Sequence, residues 1–212
     1  MAKVAIIMGS ASDKPTMEKV GKMLEKLQIP YTTHIFSAHR TPNELSQFIR
    51  YSINDDNSYK VVIAGAGMSA ALAGVIASET QKPVIGIPLS GGKFHGTEAM
   101  LSTLEMPPGI PVLTVGIDAT KNAALAAARI IALSDSYILE NLKDFQENQK
   151  QAVLLANQSL AVENVKTSCP PSRIIRHNDR EKFLSLMSDA DKLQVDDAEK
   201  KSQDFELPNN IT

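Results

Sequence analysis

The sequence predicts an α/β fold, a doubly wound sheet of five parallel strands. Short apolar runs recur without polar alternation, as at Val4-Ala5-Ile6-Ile7-Met8 and Val61-Val62-Ile63-Ala64. Each run stops at Gly, Ser or Pro and gives way to a stretch with helical spacing. Unalternated strands suit a sheet covered by helices on both faces, and strict strand–helix alternation makes that sheet parallel.

Residues 4–8 read as the first strand, closed by Gly9-Ser10-Ala11-Ser12-Asp13. This apolar stretch is about half the length of a signal peptide's apolar region, so a strand is the better reading. Pro15 opens the first helix, where its missing N–H costs nothing. Met17, Val20, Met23, Leu24 and Leu27 form one stripe of that helix, which ends at Ile29-Pro30. Residues 31–36 make a second strand, and a helix over 42–53 follows the loop Ser37-Ala38-His39-Arg40-Thr41-Pro42. The third strand, 61–64, is broken by Gly65-Ala66-Gly67, and small residues over 69–78 predict a closely packed helix. A fourth strand at 83–88 leads into Ser90-Gly91-Gly92-Lys93-Phe94-His95-Gly96 and a short helix over 97–104, stopped by Pro107-Pro108-Gly109. A fifth strand at 111–115, an Ala-rich helix at 122–133 and a longer helix at 135–160 follow.

Five such strands fit the flavodoxin-like order 2-1-3-4-5. Ligands of these sheets bind beyond the carboxyl ends of the strands, so the Ser10, Ser37, Gly65 and Gly91 loops are expected on one edge. Residues 1–160 are read as one domain and 161–212 as a charged extension of mixed sign. In the extension, Cys169-Pro170-Pro171-Ser172 reads as a linker, and Phe183, Leu184 and Met187 as a short amphipathic helix. Such a segment is expected to be loosely ordered and suited to docking on another subunit.

Composition narrows the function. A net charge of −2 gives no basic face for nucleic acid. A single cysteine, Cys169, permits neither an intrachain disulfide nor a cysteine metal cluster, in keeping with a reducing compartment. No apolar run approaches the roughly 18 residues of a membrane span. The expected location is the cytoplasm. No His or Cys pair has metal-ligand spacing, no Gly-Lys-Ser/Thr marks a P-loop, and no Gly-x-Ser-x-Gly marks a hydrolase elbow.

Four segments carry possible chemistry. The Ser10 loop joins a strand end to a helix start, where backbone N–H groups and the helix dipole favour an anion. Ser and Asp also cap helices without any ligand. In the Ser37 loop, His39 suits proton transfer near neutral pH, and Arg40 can hold a phosphate or carboxylate through two parallel bonds. A solvated His-Arg pair is the plainer reading. Gly65-Ala66-Gly67 admits either a ligand against the backbone or a helix packed on the sheet. The Gly91 loop has the glycines of a mobile lid but reads more simply as a polar loop. His34 falls within a strand and His177 in the extension, both structural or solvated.

Taken together, the chain resembles the N5-carboxyaminoimidazole ribonucleotide mutases, also called the catalytic subunit of phosphoribosylaminoimidazole carboxylase. The resemblance rests on Met8-Gly9-Ser10-Ala11-Ser12-Asp13, Ser37-Ala38-His39-Arg40-Thr41-Pro42 and Ala64-Gly65-Ala66-Gly67. It continues through Pro83-Val84-Ile85-Gly86-Ile87-Pro88, Met106-Pro107-Pro108-Gly109-Ile110-Pro111-Val112 and Lys121-Asn122-Ala123-Ala124. These run in family order across about residues 3–160.

The resemblance implies a flavodoxin-like homo-octamer with active sites where subunits meet, needing no cofactor, metal, ATP or biotin. Its substrates would be a phosphorylated aminoimidazole ribonucleotide and CO2. A carboxyl group would move from the exocyclic nitrogen to carbon 4 of the imidazole, through CO2 and aminoimidazole ribonucleotide. The family's acid–base histidine falls on His39. Its ligand-binding Ser, Asp and Arg fall on Ser10, Asp13 and Arg40, for phosphate and ribose. Ser12, Ser37, Ala38, Gly65, Ala66, Gly67, Ser69 and Leu72 complete the expected substrate-binding set.

Two positions depart from the family pattern. Ala71 stands where a His is expected and Ala73 where a Pro is expected, within Gly67-Met68-Ser69-Ala70-Ala71-Leu72-Ala73-Gly74. This loop leans toward the second class of the family, which carboxylates aminoimidazole ribonucleotide directly with CO2. Arg40, in place of that class's Lys, and the length between Pro88 and Met106 are of the mutase type. His95 is a candidate replacement for the missing His. A non-catalytic ribonucleotide-binding module is the remaining alternative.

Overall fold

The computed structural model describes residues 3–164, and the expectations for the linker, the amphipathic helix and His177 lie outside them. Five parallel strands form one sheet in the order β2-β1-β3-β4-β5. They are β1 (Lys3–Met8), β2 (Tyr31–Ile35), β3 (Tyr59–Gly67), β4 (Val84–Leu89) and β5 (Leu113–Thr114). The helices are α1 (Lys14–Lys26), α2 (Pro42–Phe48), α3 (Leu72–Glu79), α4 (Thr97–Leu104), α5 (Thr120–Ala132) and α6 (Ser136–Asn164).

Alternate residues of β1, β3 and β4 supply two cores. Val4, Ile6, Met8, Val61, Ile63, Ile85 and Ile87 pack with Met17, Val20 and Leu24 of α1, the alanines of α5, and Ile138 and Leu142 of α6. Ala5, Ile7, Val62, Ala64 and Val84 pack on the other face with Leu45 of α2, Ile49 and Ile53, and Leu72, Ala73 and Ile76 of α3. Burial on both faces is why the strands read as unbroken apolar runs.

Register levels the strand ends. Met8 pairs with Ile35 of β2 and Gly65 of β3, and Gly67 pairs with Leu89 of β4. The loops after β1, β2, β3 and β4 therefore leave from one edge. The order reverses between β1 and β3, where a crevice opens in sheets of this kind.

The structure changes four expectations. Gly65-Ala66-Gly67 does not break β3, which runs through Gly67 because these residues pair with Ile87, Pro88 and Leu89. The fifth strand shrinks to Leu113–Thr114: Pro111 has no N–H to give, although Val115 N–H still reaches Gly86 O at 3.1 Å. Pro88 is tolerated in β4 because it lies past the end of β5, whose last pair is Thr114 with Gly86. The helix expected over 42–53 changes to a π-helical stretch at Ile49–Asn54, where Asn54 and Arg50 bind Glu79. Ser69 precedes α3 rather than opening it.

The longest helix, α6, continues past 160 to Asn164, so the expected boundary falls within it. The chain divides into one unit over Met1–Leu154 and a second beginning at Leu155. Among the described residues, no helix is long and apolar enough to cross a membrane.

Candidate active site

The loops at the carboxyl edge enclose a cavity of about 530 Å³, within the usual range for a small-molecule site. The β1 loop supplies Gly9, Ser10, Ser12 and Asp13, and the β2 loop supplies Ser37, Ala38, His39 and Arg40. Ala66 and Gly67 end β3, Met68, Ser69, Ala71 and Leu72 lead into α3, and Gly91 closes the fourth side.

Ser10 has an extended backbone and caps the 3-10 turn Ala11–Asp13. Its Oγ accepts the Ser12 N–H at 3.3 Å and lies 3.0 Å from Ser12 Oγ. The loop is thus both a helix entry and a cavity wall. Asp13 follows with its carboxylate directed back over the loop, 3.6 Å from the Cβ position of Gly9. Burial pushes the Asp13 carboxyl up, against the hydrogen bonds of Ser10 and Ser12 and the charge of Arg40.

The β2 loop closes on itself. Thr41 Oγ1 accepts the Ser37 N–H at 2.9 Å, and the Thr41 N–H and Oγ1 both donate to Ser37 O. Ser37 Oγ then accepts from Arg40 N–H at 3.2 Å and from Arg40 Nε–H at 3.4 Å. Arg40 Nη2 donates to Gly9 O at 3.2 Å, which ties the β2 loop to the β1 loop. Its side-chain hydrogen bonds within the chain go to neutral oxygens only. His39, between Ala38 and Arg40, is exposed on the same cavity.

The glycine segment resolves position by position. A Cβ on Gly65 would collide with Met17 Sδ, so this glycine serves helix-on-sheet packing. Gly65, a member of the expected substrate-binding set, is not among the residues lining the cavity. Ala66 and Gly67 do line the cavity. Every other residue of that set, Ser69 and Leu72 included, also lines it.

The remaining histidines are elsewhere. The His34 ring is tilted by 45° against Phe48 at 4.3 Å and stacks on Phe36 at 6.2 Å, with Nε2 at 2.9 Å from Thr32 Oγ1; burial pushes its pKa down. His95 is exposed, with φ +53°, and is not among the lining residues. Within the subunit it does not share the cavity wall with Ala71. Gly9, Met68, Ala71 and Gly91 are wall residues absent from the expected set. Only proximity to the motifs signalled the glycines, and nothing in the local pattern signalled Met68. Among the described residues, no three His, Cys, Asp or Glu side chains gather as a metal site.

An imidazole beside hydroxyls, a guanidinium and a carboxylate can hold a phosphorylated, hydroxylated ligand and move a proton on it. Comparison with known proteins narrows this. A family model described as AIR carboxylase matches residues 3–152. The chain is 46% identical over 151 residues to the N5-carboxyaminoimidazole ribonucleotide mutase of Pyrococcus abyssi, covering 71% of this chain and 86% of that one. With the Haemophilus influenzae protein of the same name it shares 42% over 155 residues, 72% of this chain and 93% of that one. The crystal structure of Treponema denticola PurE superposes with a TM-score of 0.70 at 32% identity, covering 76% of this chain and 99% of that one.

Proposed function

The chain belongs to the AIR carboxylase family, and from that premise we propose that its cavity takes a phosphorylated aminoimidazole ribonucleotide. The enzyme interconverts N5-carboxyaminoimidazole ribonucleotide and 4-carboxyaminoimidazole ribonucleotide in purine biosynthesis, an isomerase reaction. The observation that carries the site assignment is His39 sharing one cavity with Ser10, Ser12, Asp13 and Arg40.

In this reading Arg40 and the Ser10 loop hold the phosphate, and Asp13 accepts hydrogen bonds from the ribose hydroxyls. Protonated His39 gives its proton to the exocyclic nitrogen as the N–CO2 bond breaks, leaving an amine and CO2. Carbon 4 of the ring then attacks CO2, and neutral His39 removes the carbon 4 proton to restore the aromatic ring. One imidazole gives up its proton and regains it, so the cycle needs no second acid–base group.

Residues 1–160 we assign to catalysis and 161–212 to an extension, in a cytoplasmic homo-octamer. The exposed Leu101, Leu104, Leu113 and Leu133 support assembly, since apolar side chains of this size favour cover. Sedimentation analysis tests the octamer.

Direct carboxylation of aminoimidazole ribonucleotide is the second reading, motivated by Ala71 on the cavity wall. The names of the similar mutases do not favour it. Purified protein assayed in CO2-depleted buffer separates the two. Turnover of N5-carboxyaminoimidazole ribonucleotide is expected there; strict dependence on added CO2 would reject the mutase.

A further inference from the structure

Besides the polar clamp, the cavity is lined by uncharged residues, Met68, Ala71, Leu72 and Gly91 among them. Met68 holds φ +57°, a left-handed conformation uncommon for a residue with a side chain, so its placement needs support from outside. A carboxylate lies close by. Glu98 lies in the first turn of α4, where the helix dipole favours a negative group. A Cβ on Gly92 would overlap Glu98 Oε1 and sit 3.6 Å from Met68 Cγ. The Glu98 side chain therefore rests on the Gly92 backbone, next to Met68.

Solvation does not explain this position. Glu98 Oε2 is buried and has no hydrogen-bond partner among the described residues. A buried acceptor without a donor is costly, and such groups concentrate where function demands them. A glutamate serving only α4 would turn its head to water.

We propose that Glu98 is a positioning residue, a strut that holds Gly91, Gly92 and Met68 as the wall retaining CO2 between its release and its recapture. The proposal rests on the mutase reading above. CO2 is small and uncharged, so groups that clamp phosphate and ribose give it no purchase. What limits its escape from carbon 4 is the uncharged surface that Met68 and Gly91 add to the cavity. Loss of the strut therefore alters the fate of CO2 rather than the affinity for the ribonucleotide.

The test follows both products formed from N5-carboxyaminoimidazole ribonucleotide, corrected for the enzyme-free reaction. In Glu98→Ala, the fraction of turnovers ending as aminoimidazole ribonucleotide and free CO2 rises by about tenfold, within what a displacement of about 1 Å can do. The KM stays within about twofold, because the clamp is untouched. Glu98→Gln keeps the shape of the strut and restores the wild-type partition. Glu98→Asp, one methylene shorter, gives an intermediate leak and serves if the alanine variant does not fold.

A wild-type partition in folded Glu98→Ala and Glu98→Asp overturns the proposal. So does a glutamine variant that leaks as much as the alanine variant, or a KM that rises with no change in partition. Wild-type protein that does not turn over the substrate at all removes the mutase reading itself, a result separable from the others.

Discussion

The two ends of this sheet treat their polar groups in opposite ways. At the amino end, polar groups find partners within the chain. Lys3 Nζ meets Asp56 Oδ2 at 2.7 Å, and Asp56 Oδ1 accepts the Ser58 N–H at 2.8 Å. Lys82 Nζ donates to the carbonyls of Asp56 and Tyr59 at 2.9 and 2.8 Å. Arg50 and Ser46 converge on Glu79, and Thr80 on Asn54. At the carboxyl end, the hydroxyls, carboxylate, imidazole and guanidinium share an open cavity instead. One end fastens the fold; the other keeps binding capacity in reserve, a division that stability–activity trade-offs lead one to expect.

Two aspartates show the difference in sign. Lys3, and then Ser58, hold the Asp56 carboxyl well below the usual carboxylate range. The folded state binds that proton less readily than the unfolded chain. Its contribution to stability is therefore complete above about pH 4 and fades as pH falls through the folded value. Burial pushes the Asp13 carboxyl the other way. There the folded state binds the proton more readily, so stability declines as pH rises from about 4 through the folded value, and neutral pH carries the full penalty.

The contrast breaks most sharply at His39. His39→Asn lowers kcat by about 10²–10⁴-fold, the usual worth of a general acid–base group, while ribonucleotide binding by calorimetry is retained. Near-normal turnover would remove the imidazole from the reaction. Arg40→Ala comes next. It removes a charge-assisted contact worth about 1.5–3 kcal/mol, weakening phosphate-bearing ligands by about 10- to 100-fold, and unchanged affinity would contradict its role.

Asp13→Asn sharpens the comparison because it separates two readouts. KM rises by about tenfold through loss of a hydrogen bond to a charged acceptor. The thermal midpoint at neutral pH stays level or rises, because the buried charge is gone; a lower midpoint would place Asp13 among the fastening groups. The smallest effect on activity belongs to Asp56→Asn. Its kcat/KM matches wild type, while the acid limb of the stability curve below about pH 4 flattens. An activity loss of more than about twofold there would show that the two ends are coupled.

Much of the fold was legible because burial on both sheet faces writes itself into sequence as unbroken apolar runs. β1, β3 and β4 were placed that way, and Pro15 and Pro42 mark the starts of α1 and α2 to within a residue or two. The glycines after Ala64 misled, since Gly65 looks like a strand breaker whether or not a helix packs on it. Only the neighbouring Met17 discloses its purpose. β5 was overdrawn because its apolar residues match the strand pattern, while its short pairing depends on where β4 runs. Glu98 was invisible: in sequence it is an ordinary acidic residue in the first turn of a helix.

By itself, the sequence determined which segments become strands, which faces are buried and which loops leave the carboxyl ends. Those properties depend on side-chain period and on neighbours a few residues away. Only the tertiary structure decided that Arg40 would reach Gly9 across 31 positions, that Gly91 would share a cavity with the Ser10 loop, and that Glu98 would lie against Gly92. These depend on strand order, on register and on the angle at which each helix returns to the sheet. Such quantities arise from packing over the whole domain, and no local stretch of residues encodes them.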